Sequence, residues 1–288
     1  MTVCIEAFLD NDTATFSYVV FDAAARRGVV IDPVLNFDVS SGQTHTDSVE
    51  KINTFIQQEQ LNIDWILETH AHADHLTGAQ WLRDKLTAKV AIGEHIQDVQ
   101  KVFSKLFNLS DDPMVSATAF DKLLSDGETL TVAGLTIRAM HTPGHTPADM
   151  VYIINDQHVF VGDTIFMPDV GTARCDFPGG DATRLYHSVS KILAMDPDTQ
   201  LYMCHDYPPQ GRGPEYQTTV AAQLEHNKHV KRSVSLAEFV QMREERDATL
   251  AVPKLIMPAI QVNIRAGHLP TAEGNGVRYL KLPLDQTI

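Results

Sequence analysis

The stretch Thr69-His70-Ala71-His72-Ala73-Asp74-His75 constrains this chain more than any other part of it. It follows the apolar run at residues 62–68, so a buried strand feeds straight into a loop crowded with imidazole and carboxylate. Neutral imidazoles and carboxylates are the ligand set for zinc, iron and manganese. The small Ala71 and Ala73 let a tight loop bring alternate side chains to one point.

The same residue types recur downstream at predicted strand ends. His141-Thr-Pro-Gly-His145 follows a strand at 135–140, and its Pro-Gly turn aims His145 inward. Val161-Gly-Asp163 closes another strand with a carboxylate, and Met203-Cys-His205-Asp206 closes a third. Histidines and a carboxylate at four successive strand-to-loop junctions describe a metal site on one edge of a layered fold. Cys204 and His205, on adjacent positions of a strand, are expected to point to opposite faces. No Ser-His-Asp order is supported.

Periodicity places hairpins at 16–22 with 28–32, 129–132 with 135–140, and 150–154 with 158–161. Helices are predicted after Thr46 and Asp47, then at 78–86, 94–107, 181–195, 218–229 and 235–246; strands are predicted at 89–92 and 200–204. Strand pairs alternating with helices in this order suggest two sheets with helices outside. A Gly-rich phosphate fingerprint is missing, and so is the strict alternation of a doubly wound sheet. No composition break marks an independent second domain.

At 288 residues, the chain has ample length for a large core. Its 37 Asp+Glu against 23 Lys+Arg argue against nucleic acid as a partner, since phosphate binding needs a basic face. Three cysteines without close pairing fit a reducing cytosol. The N-terminal stretch has neither the basic start nor the apolar length of a targeting segment, and no run suits a bilayer span. A cytoplasmic location without membrane contact is expected.

His70, His72, Asp74, His75, His145, Asp163 and His205, in that order and spacing, resemble the metallo-β-lactamase superfamily over roughly residues 10 to 210. The resemblance implies an α/β fold, a four-layer αβ/βα metallo-β-lactamase sandwich, over residues 1–208. Residues 209–288 are expected to form a helical C-terminal region packed on the same core. In two-metal members, the residues matching His70, His72 and His145 hold one ion. Those matching Asp74, His75 and His205 hold the other, with Asp163 bridging.

A second signature is similar to the persulfide dioxygenases, relatives of glyoxalase II, and to bacterial β-lactamase-like hydrolases. It comprises Gly171-Thr-Ala-Arg174-Cys175-Asp176-Phe177, Leu185-Tyr-His-Ser188, His205-Asp-Tyr207 and Val262-Asn-Ile-Arg265-Ala-Gly267. This resemblance implies one Fe(II) per chain on His70, His145 and Asp163, with open positions for persulfide and O2. His72, Asp74, His75 and His205 would then orient ligands and hydrogen-bond what is bound. Where some members carry a cysteine two residues before the arginine, this chain has Thr172, so Cys175 does not inherit that role.

Asp74, His75 and Tyr207 are the candidate catalytic groups, and Arg174, Tyr207 and Arg212 the candidate substrate contacts. For Arg174, a salt bridge to Asp176 or Asp169 is the competing expectation. The alternative activity is a glyoxalase-II-like thioester hydrolase with two zinc or iron ions, and a non-enzymatic metal-bound sensor or scaffold is a third. Expected partners are a small thiol or persulfide, O2, a separate sulfurtransferase and a second copy of the chain. The other eight histidines are assigned to surface or packing.

Overall fold

The computed structural model describes residues 2–286. Its first half runs β1 (Val3–Asp10), β2 (Thr15–Asp22), β3 (Arg27–Ile31), β4 (Val34–Asp38), β5 (Gln43–His45), α1 (Asp47–Gln58), β6 (Asn62–Leu67), β7 (Leu76–Thr77), α2 (Ala79–Leu86), β8 (Lys89–Gly93), α3 (Ile96–Leu106) and β9 (Lys122–Leu124). The second half runs β10 (Thr129–Val132), β11 (Leu135–His141), β12 (Met150–Ile154), β13 (His158–Phe160), α4 (Ala182–Leu193), β14 (Gln200–Tyr202), β15 (Gln217–Thr219), α5 (Val220–His226), α6 (Leu236–Asp247) and α7 (Ile256–Asn263).

Two six-stranded sheets result, ordered β1-β2-β3-β6-β8-β9 and β10-β11-β12-β13-β14-β15, with a small β5-β4-β7 sheet beside them. The first sheet is antiparallel through β3 and parallel from β3 to β9. The second is antiparallel except where β13 meets β14. Every residue of β2 is buried, as expected for a strand covered on both faces.

Three apolar clusters make the four layers. Tyr18, Val20, Ile31, Ile137 and Tyr152 fill the space between the sheets. Ile52, Ile56, Phe103 and Ile260 cover the outer face of the first sheet, and Leu185, Val189, Ile192 and Phe239 that of the second. The α/β/β/α sandwich expected from the order of elements is the observed architecture. The C-terminal helices divide between the outer layers: α5 and α6 join α4, whereas α7 returns to pack with α1 and α3.

The three expected hairpins form in register. Several short or edge strands carried too little apolar pattern to be read, among them β1, whose residues are mostly half-buried around an exposed Glu6. The expected helix at 218–229 is shorter. Residues 217–219 pair with β14, and Asn227 ends α5 by taking the backbone N–H of His229 and of Val230 on its side-chain oxygen. Thr46 precedes α1 but makes no side-chain cap; its hydroxyl donates to Glu50 instead, at 2.6 Å. No helix among the described residues is long and apolar enough to cross a membrane.

Candidate metal centre

The histidine loop leaves β6 from a fixed point. Thr69 donates from its backbone N and its Oγ1 to the two carboxylate oxygens of Asp32, at 2.7 and 2.9 Å, and its carbonyl accepts from Met150 N at 2.9 Å. The turn after β13 presses against the same threonine. Gly162 has φ +51°, and a Cβ there would lie 2.9 Å from Thr69, so only glycine lets Asp163 arrive. The turn carrying His145 is equally tight, because Gly144 at φ +151° abuts the backbone of Leu185. After β14, an antiparallel bridge between Thr15 and His205 ties the sheets together at this edge.

Of the four groups of ligand atoms that form there among the described residues, two hold the seven expected ligands. Those of His70, His145 and Asp163 all lie within 4.8 Å of one another, with Asp163 Oδ2 3.7 Å from His145 Nε2 and 4.0 Å from His70 Nε2. Those of His72, Asp74, His75 and His205 form the second. His205 Nε2 stands 3.2 Å from Asp74 Oδ2 and 3.4 Å from Asp163 Oδ1, so Asp163 faces both groups. His72 groups with Asp74, His75 and His205 rather than with His70 and His145. Its Nε2 is occupied by Asp32 Oδ1 at 3.1 Å and lies 3.5 Å from Glu68 Oε2, which leaves Nδ1 as the free nitrogen.

These donors fit a cation. His70 Nε2, His72 Nδ1, Asp74 Oδ2, His75 Nε2, Asp163 Oδ1 and His205 Nε2 are buried without a hydrogen-bond partner among the described residues. Each such atom costs about 1–3 kcal/mol unless something satisfies it. The far nitrogens of two rings are committed: His145 Nδ1 donates to the Arg174 carbonyl at 2.8 Å and His205 Nδ1 to that of Ala14 at 3.3 Å. In the neutral ring that tautomer leaves Nε2 with its lone pair for a metal.

Electrostatics differs from ring to ring, and burial and His72 lower His75 in the second group. Burial, helped by His72 and His145, lowers His70 well below the ordinary histidine value, so it stands as a neutral ligand. Burial also works downward on His205, but Asp163 and Asp74 outweigh it and raise that ring. Burial would raise the Asp74 carboxyl, yet His205 and His75 hold it well below the carboxylate range. On His72, the upward pull of Asp32 and Glu68 overcomes burial.

A cavity of about 440 Å³ opens on Asp74, His145 and Asp163, and Phe166, Arg174 and Tyr207 also line it. Tyr207, half exposed, stacks on His205 with ring centroids 5.7 Å apart. Arg174 reaches this cavity with its guanidinium committed, paired to Asp176 at 2.5 and 2.6 Å and donating to the Ala251 carbonyl. Arg212 is not in the lining. Its donors hold Asp169 and the buried Asp206, bracing the loop after His205.

Cys175 lines a different hollow, beside Asp247, and burial pushes its thiol up to about 12. Cys204 does not point away from His205 as expected. Both contribute atoms within 4.8 Å of Asp163, because β14 ends at Tyr202 and strand alternation stops there. Cys204 Sγ instead lies 3.8 Å from Asp32. His141 stacks on His95 at 4.2 Å, away from the ligand groups.

Sequence reasoning missed Asp32 and Glu68, the two carboxylates against His72, because an acidic residue at a strand end has no distinguishing spacing. It also missed Asn263, Lys228, Arg243 and Arg246. Of these, only Asn263 lay in a segment the sequence had singled out.

Comparisons with known proteins identify the family. Residues 10–205 match the family model described as the metallo-beta-lactamase superfamily. The chain is 50% identical to a probable metallo-hydrolase of Burkholderia pseudomallei strain 1710b, covering 98% of this chain and 99% of that one. It is 49% identical to Glyoxylase B2 of Dictyostelium discoideum, covering 98% and 97%. With the mitochondrial persulfide dioxygenase ETHE1 of Homo sapiens it shares 29% identity, covering 94% and 91%. The crystal structure of ETHE1 from Myxococcus xanthus superposes with a TM-score of 0.74 at 28% identity, covering 92% of this chain and 100% of that one.

Proposed function

The chain belongs to the metallo-β-lactamase superfamily, and from that premise we propose that it is an iron-dependent persulfide dioxygenase. It would convert glutathione persulfide, or a similar small persulfide, with O2 and water into sulfite, the free thiol and two protons. The observation that carries this reading is that His70, His145 and Asp163 bring their ligand atoms within 4.8 Å of one another, with Asp163 also facing His205. Two imidazoles and one carboxylate are the donor set of non-haem iron oxygenases. The ETHE1 relatives, similar along nearly the whole chain, support it.

When bound, Fe(II) on this triad supplies open coordination positions for the two reactants. The chain's own residues do the rest. Arg174 and Ala14 fix the rings of His145 and His205 through their carbonyls. Asp74, held ionised by His205 and His75, lines the cavity beside the triad as a fixed negative charge that accepts hydrogen bonds. Phe166 and Tyr207 narrow the approach and limit water. Reduced thiols at Cys4, Cys175 and Cys204 fit a cytoplasmic setting, and a separate sulfurtransferase would deliver or remove sulfane sulfur.

A second reading is favoured by the other ligand group. Asp74, His75 and His205 with the facing Asp163 suit a second ion, and a two-metal thioester hydrolase accords with the names of the two half-identical relatives. Substitution separates the readings. Asp163→Ala should abolish iron binding under both. His205→Ala should leave one iron per chain under the dioxygenase reading, whereas loss of one ion out of two would favour the hydrolase.

A further inference from the structure

Thr15 opens β2 at the metal edge and is fully buried. Its Oγ1 stands 2.7 Å from Thr13 Oγ1, 3.3 Å from His205 Nδ1 and 3.5 Å from His75 Nδ1. A hydroxyl has one proton to give and two lone pairs to fill, so three neighbours use it completely. Which of the three takes the proton decides which nitrogen of each ring carries hydrogen, and donor counting settles it.

Thr13 donates Oγ1–H to Asp10 Oδ2 at 2.7 Å, and its backbone N–H reaches the same oxygen at 3.0 Å. The other oxygen, Asp10 Oδ1, accepts from Asn36 Nδ2 at 2.7 Å and from Ser48 Oγ at 2.9 Å. The Asn36 amide is fixed in that sense, since its Oδ1 accepts from Ser48 N at 2.9 Å. Four donors, from the β1–β2 turn, β4 and α1, therefore converge on the buried Asp10 carboxylate, which has no proton to offer. With its own proton spent on Asp10, Thr13 Oγ1 is an acceptor toward Thr15. Thr15 then has only lone pairs left for the two rings, so His75 and His205 donate to it from Nδ1. Two further acceptors agree: the Ala14 carbonyl lies 3.3 Å from His205 Nδ1, and Asp74 Oδ1 lies 3.5 Å from His75 Nδ1.

We infer that Thr13 and Thr15, anchored on Asp10, are positioning residues that fix the tautomer of His75 and His205. The hydrogen-bond chain runs one way, from the two rings to the carboxylate. It leaves Nε2 of both rings bare, and both of those atoms are buried without a hydrogen-bond partner among the described residues. A bare Nε2 offers its lone pair to an ion or accepts a hydrogen bond from a bound molecule, whereas Nε2–H does neither. Proton placement in the second ligand group is thus set from the β1–β2 turn, by three residues that are not themselves ligands. The inference holds for the two rings under either reading of the activity, one ion or two.

The test reads the ring-nitrogen NMR signals of isotope-labelled histidines in the full chain, assigned through His75→Gln and His205→Gln. The chain is stripped of metal, because a bound ion would itself dictate the tautomer, and held at alkaline pH, where both rings are neutral. Wild type should show hydrogen on Nδ1 and none on Nε2 of both His75 and His205. In Thr13→Val the Thr15 hydroxyl loses its acceptor and turns its proton to a ring. His205 keeps Nδ1–H on the Ala14 carbonyl, so His75 should gain signals of the Nε2–H form that wild type lacks. Thr13→Ser should match wild type. The double variant Thr13→Val/Thr15→Val has no hydroxyl proton to give and should return His75 to Nδ1–H, a reversal that loosened packing does not produce. Circular dichroism checks each fold, and the wild-type spectrum alone tests the assignment should a variant not fold. Nε2–H on either ring of wild type overturns the inference. So does a Thr13→Val spectrum unchanged from wild type, or a His75 shift that persists in the double variant. No turnover is read, so failure of the dioxygenase activity leaves this result standing, and persulfide oxidation by a chain with the other tautomers refutes the inference alone.

Discussion

Asn263 and His72 lie 191 positions apart in the chain, yet Asn263 Nδ2 donates to the His72 carbonyl at 2.8 Å. The same nitrogen donates to the His75 carbonyl at 2.8 Å, and Asn263 Oδ1 accepts from Thr77 N at 2.9 Å. One buried amide from α7 therefore clamps both sides of the metal loop. Asn263→Ala should weaken metal affinity by about tenfold or more, as loss of outer support for ligands does elsewhere. A chelator-competition titration reads this, with circular dichroism confirming an intact fold.

Metal uptake should show two distinct proton signatures. His70 is lowered by burial and neutral at pH 7, so an ion on the first group displaces no proton from it. His205 is raised above the ordinary histidine value by Asp163 and Asp74 against burial, so it holds its proton to higher pH and must lose it to bind. An ion on the second group therefore displaces the His205 proton, and its affinity falls as pH falls. Calorimetry in buffers of differing ionisation enthalpy measures the protons released per ion.

Gly162→Ala should destabilise the protein by about 2 kcal/mol or more, from the left-handed backbone and the contact with Thr69. Because Thr69 and Asp163 flank that contact, metal affinity should fall with stability. A urea titration of the metal-loaded and metal-free protein separates the two losses.

Arg212→Ala leaves the buried Asp206 without its guanidinium partner. Breaking such a pair costs about 3 kcal/mol. The expected outcome is a lower melting temperature, with thiol affinity measured at a temperature where the variant is folded remaining near wild type. A large affinity loss in folded protein would place Arg212 in substrate recognition after all.

Much of this site was legible because its ligands cluster locally. Four of the seven sit within residues 70–75, and His145, Asp163 and His205 each follow an apolar strand that periodicity detects. The supporting residues are another matter. Asp32 becomes significant only when β3 and β6 pair in parallel and bring it to Thr69 and His72. Lys228 and Arg246 were two charges among many on helical stretches until the fold laid those stretches beside the metal edge. Short strands such as β7 and β9 are set by tertiary pairing, and their two or three residues carry no period of their own.

The most direct measurement is metal content and O2 consumption on the same sample of anaerobically purified chain given glutathione persulfide. This account predicts about one iron per chain and one O2 consumed per sulfite formed, both lost in His70→Ala. Two ions per chain, with hydrolysis of a glutathione thioester and no persulfide-dependent O2 uptake, would contradict it.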